Sequence, residues 1–272
     1  MATKSQFARE TAGLCRTRVA SIVSRGLDPL PPCVFALDVL LNAPVVDLTK
    51  VTSALSSDPG FSRRVLRLSD EILSASDESA DSTEDALIQL GPYLFHAVVL
   101  LCAVTEIGEE ASRDENAAAI WLHSVEMAIL SEQIAEQSAY PSRGTACVAG
   151  LLHDIGYLPL LVAAREQGYL GGELGAAEWR DDVALEREMF GVDHCQVGAW
   201  MAKSWKFSPS LIDAVSHHHD PSKAGVDSHL AEIVFAAEHH GPALSRRETA
   251  EGSRVTRNPL ADILPCGKLA EA

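Results

Sequence analysis

The sequence is poor in positive charge. Its 22 lysines and arginines face 38 aspartates and glutamates, leaving a formal net charge of −16. That balance argues against a nucleic-acid backbone as the main partner, because such binding runs on cationic patches. It argues equally against docking on anionic lipid. The six cysteines, from Cys15 to Cys266, form no Cys-x-x-Cys pair. Most of them lie in apolar neighbourhoods, the pattern of reduced core thiols in a cytoplasmic protein. No long apolar run is evident: Phe95 to Val104 is too short to span a bilayer. Near the N-terminus Gln6, Arg9, Glu10 and Arg16 interrupt any signal region. Sustained strand alternation and internal repeats are also missing, which leaves an all-α chain.

There is enough apolar material for a sizeable core, at 47% of 272 residues. A helix is expected from about residue 4 to 25, stopped by the proline-rich segment Asp28 to Pro32. Short helices follow, with Asp47 and Asp58 as N-caps and Pro59 at a first helical position. Ser82 and Asp85 form a capping arrangement, and Gly91-Pro92 separates that helix from the apolar one containing His96, read as a core or surface-edge histidine. An acidic linker, Glu109 to Glu115, precedes a long helix from about Ala117 to Gln137. Gly168 to Gly175 reads as a loop between later helices. Those helices lie near Asp182–Phe190, Asp193–Trp205, Pro209–His219 and His229–His240. The boundaries that result are 1–110, 111–240 and a polar tail over 241–272.

The stretch from Ala146 to Leu160 asks for an explanation. Cys147, Val148, Leu151, Leu152 and Ile155 make a helical apolar stripe that ends at His153 and Asp154. A carboxylate in that setting costs several kcal/mol unless it is paired or coordinates a metal. Gly150, one turn earlier, suggests a close approach by another element. Elsewhere His123 shares a face with Met127, and His194 starts a helix continued by Val197 and Met201. His218 and His219 extend the stripe of Leu211, Ile212 and Val215, and Glu238 joins the face of Leu230, Val234 and Ala237. These five inward histidines and two inward carboxylates cannot each be satisfied cheaply by a separate buried partner. A shared divalent cation satisfies them together, and two ions bridged by Asp154 are feasible. Mixed imidazole and carboxylate ligation suits iron, manganese or zinc, and spacing does not choose among them. His217, His229, His239 and His240 fall off these faces.

His123, the His153-Asp154 pair and a late carboxylate on a separate helix resemble the HD superfamily of metal-dependent phosphohydrolases. The closer resemblance is to the HDOD family, the HD-related output domains of bacterial signalling proteins. Leu30-Pro31-Pro32, Ser57-Asp58-Pro59, Arg64-Val65-Leu66-Arg67-Leu68 and Ala86-Leu87-Ile88-Gln89-Leu90-Gly91 carry it in the first half. Leu151-Leu152-His153-Asp154-Ile155-Gly156, Gly191-Val192-Asp193-His194, Val197-Gly198 and His218-His219-Asp220-Pro221 carry it in the second. The resemblance implies an all-α bundle in two subdomains, the HD-type core lying in the C-terminal part. It also implies a regulatory role without an established catalytic activity. Glu238 stands where related sequences place Asp. Tyr157 stands where the related HD-GYP phosphodiesterases carry Lys, and Ala119 where some of them have an extra Glu ligand.

The leading reading is therefore a cytoplasmic signalling module with one or two divalent ions held by His123, His153, Asp154, His194, His218, His219 and Glu238. It would act through a signalling protein partner or self-association, with a nucleotide as a further candidate ligand, not through nucleic acid or a membrane. The alternative is a metal-dependent phosphohydrolase acting on a nucleotide or cyclic nucleotide, with His153, Asp154 and His194 as its catalytic candidates.

Overall fold

A computed structural model describes residues 13, 15–24, 32–41, 45–74, 78–107, 115–167 and 182–248. Among these residues every regular element is helical and none is a strand. The N-terminal half contains α1 (15–24), α2 (Pro32–Leu41), α3 (Leu48–Ser56), α4 (Pro59–Ser74) and α5 (Thr83–Ile107). The C-terminal half contains α6 (Glu115–Gln137), α7 (Arg143–Leu152), α8 (Tyr157–Glu166), α9 (Val183–Phe190), α10 (His194–Ser204), α11 (Pro209–His217) and α12 (Ser228–Glu248). The expected loop over 168–175 and the tail beyond 248 lie outside the described residues, as does most of the 109–115 linker.

Side-chain caps set the helix starts. Asp47 accepts from the Lys50 N–H, Asp58 from the Gly60 and Phe61 N–H groups, and Ser82 from the Asp85 N–H. Ser142, Asp182, Asp193 and Ser208 do the same for α7, α9, α10 and α11. Such caps are each worth about 1 kcal/mol. Gly91 adopts φ 72° and ψ 166° inside α5, so the chain kinks where Gly91-Pro92 predicted two helices. The last helix departs from expectation: α12 continues past Gly241 and Pro242 to Glu248, where loss of apolar periodicity suggested a tail from 241. Ala243, Leu244, Arg246 and Arg247 are good helix formers, so local propensity favours continuing a helix that packing has already nucleated.

The two halves share one hydrophobic core. It runs without a break from Val19 through Phe61, Phe95, Leu100 and Leu152 to Phe190 and Leu230. Within it α7 packs along α6 and touches α5, α11 and α12, and α12 also crosses α6. At Gly150 a Cβ would lie 2.4 Å from the Met127 carbonyl oxygen and 2.5 Å from Ser131 Oγ, the close approach that the glycine suggested. Thr83–Ala103 and Arg143–Glu166 are long and apolar enough to cross a membrane, a property the sequence reading did not credit to them. They are 61% and 94% buried, so protein covers most of that apolar surface.

His96 sits in this core at 1% exposure. Burial pushes its pKa down from 6.5 to about 4, so the folded chain holds a neutral imidazole. The unfolded chain takes up a proton as pH falls below 6.5, whereas the folded one waits until about 4. Stability is therefore full above 6.5 and declines as pH drops towards 4, by roughly 3 kcal/mol in total for this group. Urea unfolding of metal-stripped His96→Leu at pH 7 and pH 4.5 is expected to show a smaller acid loss than wild type. An equal loss in both proteins would remove His96 from the acid response.

Candidate metal centre

Three helix ends and two helix faces converge around Asp154. The residue sits in the turn after α7, is 2% exposed, and follows His153, the C-cap of α7. Each of its oxygens faces a pair of imidazoles. Oδ2 lies 3.4 Å from His153 Nε2 and 3.8 Å from His123 Nε2 on α6. Oδ1 lies 3.5 Å from His194 Nε2, at the start of α10, and 3.7 Å from His218 Nε2, just past α11.

Further donors complete both groups. Glu238 on α12 joins His123 and His153, with their ligand atoms all within 4.8 Å of one another. His219 joins His194 and His218 at 3.1 Å from His194 Nε2. All the residues expected to meet, His123, His153, Asp154, His194, His218, His219 and Glu238, are thus in one place. His217 turns to Asp213, His229 is exposed and packs on Tyr140, and His239 is exposed and stacks on Phe235, each outside the cluster.

The ring tautomers are fixed from behind. His153 Nδ1 is 2.7 Å from the Gly150 carbonyl, and His218 Nδ1 is 2.9 Å from the Val215 carbonyl. Carbonyl oxygens only accept, so each Nδ1–H donates outward and each neutral ring turns its Nε2 lone pair into the cluster. His194 Nδ1 donates to Glu186, whose oxygens stand 2.9 and 2.8 Å away. Its Nε2 is nevertheless only 3.2 Å from that of His218. Lone pairs meeting at that distance repel unless positive charge lies between them. Nitrogens bound at 2.0–2.1 Å to a tetrahedral ion stand roughly 3.3 Å apart. The observed spacings, 3.2 Å to His218 and 3.1 Å to His219, lie just below that value, so the donors fit a divalent cation.

The protonation pattern agrees. Burial, reinforced by the neighbouring imidazoles, holds His153 and His218 well below the ordinary histidine range, which keeps both neutral. Burial also acts downward on His194, but hydrogen bonds with Cys195 and Glu186 and the charge of Asp154 outweigh it and raise the pKa well above normal. Positive charge is favoured at this point of the cluster, whether a proton or a cation supplies it.

Three supporting residues were not assigned from sequence. Glu186, fully buried on α9, accepts the His194 backbone N–H at 2.7 Å and the Tyr157 hydroxyl at 2.9 Å, besides holding the ring. Its one signal was a place four residues before Phe190 on the buried face of α9, masked by the flanking Arg187 and Glu188. Tyr157 is buried and stacks on His194 with ring centroids 4.2 Å apart. Cys195, read as a core thiol, is indeed buried, yet its Sγ is 3.4 Å from His194 Nε2. Glu186→Gln keeps the size of the side chain but removes the charge behind His194. It is expected to weaken metal binding about 10- to 100-fold, measured by competition with a chromophoric chelator. Unchanged affinity would make Glu186 a purely structural residue.

The sequence matches the HDOD domain family over residues 27–221. A candidate phosphohydrolase of known structure from Shewanella amazonensis SB2B superposes with a TM-score of 0.62 at 26% identity, covering 92% of this chain and 88% of that one. An HDOD domain protein of unknown function from Geobacter sulfurreducens gives a TM-score of 0.59, also at 26% identity, over 82% and 78% of the two chains. Ribonuclease Y of Lachnoclostridium phytofermentans is 33% identical over 143 residues, which are 52% of this chain and 22% of the ribonuclease. The chain thus spans about a fifth of the length of the curated relatives it matches.

Proposed function

Because this chain belongs to the HDOD domain family, we propose that it is a bacterial signalling module built around two divalent cations, with regulation and not turnover as its role. The two-sided placement of Asp154 carries the reading. One cation would be held by His123, His153, Glu238 and Asp154 Oδ2, the other by His194, His218, His219 and Asp154 Oδ1. Iron, manganese and zinc all suit this donor set. Ions so placed join α6, α7, α10, α11 and α12, so metal binding becomes folding energy for the C-terminal half. The state of the centre would then be read by a protein partner or a second copy of the chain, with residues 1–110 and 111–240 as the two subdomains of the cytoplasmic module.

Two features favour regulation over catalysis. The position that carries Lys in the related cyclic di-GMP phosphodiesterases is Tyr157, whose hydroxyl is committed to Glu186 and whose ring is committed to His194. The centre is also enclosed: His153, His194 and His218 are fully buried, and only His123, His219 and Glu238 of the donor set are partly exposed.

The complete donor set and the candidate phosphohydrolase of similar fold favour a second reading, hydrolysis of a phosphate ester. When bound, a divalent cation supplies Lewis acidity towards a phosphoryl oxygen. The likeness to ribonuclease Y extends that reading to a phosphodiester, although the net charge of −16 weighs against a polynucleotide. Purified protein is expected to carry about two ions per chain and to leave nucleotides, cyclic nucleotides and short oligonucleotides intact. Metal-dependent turnover that Asp154→Asn abolishes would replace the module by the hydrolase.

A further inference from the structure

Cys195 is the second residue of α10, beside His194, and is 6% exposed. Its sulfur faces inward to the imidazoles of the second group, 3.4 Å from His194 Nε2 and 4.0 Å from His218 Nε2. With His219 these residues place four ligand atoms, three nitrogens and one sulfur, within 4.8 Å of one another. A sulfur at 2.3 Å and a nitrogen at 2.05 Å from one tetrahedral ion would be roughly 3.6 Å apart. The two measured sulfur–nitrogen distances lie on either side of that figure. The other donor group, His123, His153 and Glu238, contains no sulfur.

We infer that Cys195 is a thiolate ligand of the second cation, a fifth donor beside His194, His218, His219 and Asp154 Oδ1, and fills the position that a catalytic site leaves to water. The inference rests on the two-cation reading of the centre. Binding transfers the thiol proton to solvent, and the sulfur then donates a lone pair to the ion. The two sites consequently differ in kind. The His123 side, with carboxylate and imidazole donors, takes harder ions such as manganese or iron. The Cys195 side prefers a softer ion, zinc or cobalt. Structural zinc sites are closed by four protein ligands, whereas catalytic ones keep an open position. A thiolate beside three imidazoles and the Asp154 carboxylate leaves this one no open position, which accounts for a regulatory centre on a phosphohydrolase-like frame.

The experiment is cobalt(II) reconstitution of the full, metal-stripped chain, wild type against Cys195→Ser, followed by absorption spectroscopy and metal analysis. Wild type is expected to show a thiolate-to-cobalt charge-transfer band in the near ultraviolet that the serine variant lacks. The variant should need more cobalt to fill its second site, and the two spectra are compared at equal bound cobalt. Cobalt bound by wild type without that band, or a band that survives in the variant, overturns the assignment while leaving the centre standing. Failure of wild type to bind cobalt removes the centre and the thiolate together. X-ray absorption of the zinc-loaded wild type decides the matter even if the serine variant does not fold. A sulfur scatterer at about 2.3 Å supports the ligand, and a shell of nitrogen and oxygen alone overturns it.

Discussion

Asp154→Asn is expected to reduce bound metal from about two ions per chain to less than one. The carboxylate offers an oxygen to each pair of imidazoles, Oδ2 to His123 and His153, and Oδ1 to His194 and His218. An amide has a single oxygen and no charge, so one pair of histidines must face N–H groups that repel a cation. The decisive readout is the stabilisation that metal confers. Wild type should gain about 2.7 kcal/mol per site when free ion reaches a hundred times that site's dissociation constant, and the variant should gain far less at that concentration. Titrating manganese or zinc into stripped protein during thermal unfolding measures both. A variant that still binds two ions would show that Asp154 is not shared, and the two-cation reading would fall.

Gly156→Ala should be equally severe for a different reason. A Cβ there would stand 2.0 Å from the His194 carbonyl oxygen and 2.6 Å from the Gly198 backbone nitrogen. Both obstacles are main-chain atoms of α10, so no side-chain rotation relieves the clash. The start of α8 and the N-terminus of α10 must separate, and His194 moves with its helix. A loss of about 3 kcal/mol or more is expected, together with loss of metal from the second site. Circular dichroism in urea measures the first effect and metal analysis the second. A variant of wild-type stability that binds two ions would mean this contact is looser than drawn.

Most of the centre was legible because its members violate the patterns around them. His123, His194, His218, His219 and Glu238 each continue an apolar stripe where water-facing residues do not belong, and Asp154 ends the most apolar stretch of the chain. Gly150 announced the approach of α6. Glu186 escaped notice because α9 is short and Arg187 and Glu188 follow it directly, so its burial depends on which way the helix faces. Cys195 escaped because a buried thiol resembles a small apolar residue, and only its distance from His194 distinguishes the two. That side chains from α1 to α12 merge in one core is a tertiary outcome that local composition does not encode.

Gly191 bears on which changes of length the chain can survive. It closes α9 in the left-handed conformation, φ 70° and ψ 8°, its N–H bonded to the Arg187 carbonyl. Two residues later Asp193 caps α10 and accepts from the Arg187 side chain at 2.6 Å. Nothing between Glu186 and His194 can absorb slack. One inserted or deleted residue would turn one helix by about 100° against the other, swinging the imidazole off its carboxylate. Among natural variants of this protein, point substitutions in this segment should therefore far outnumber insertions and deletions, and the connection should keep a constant count of residues even where its neighbours drift.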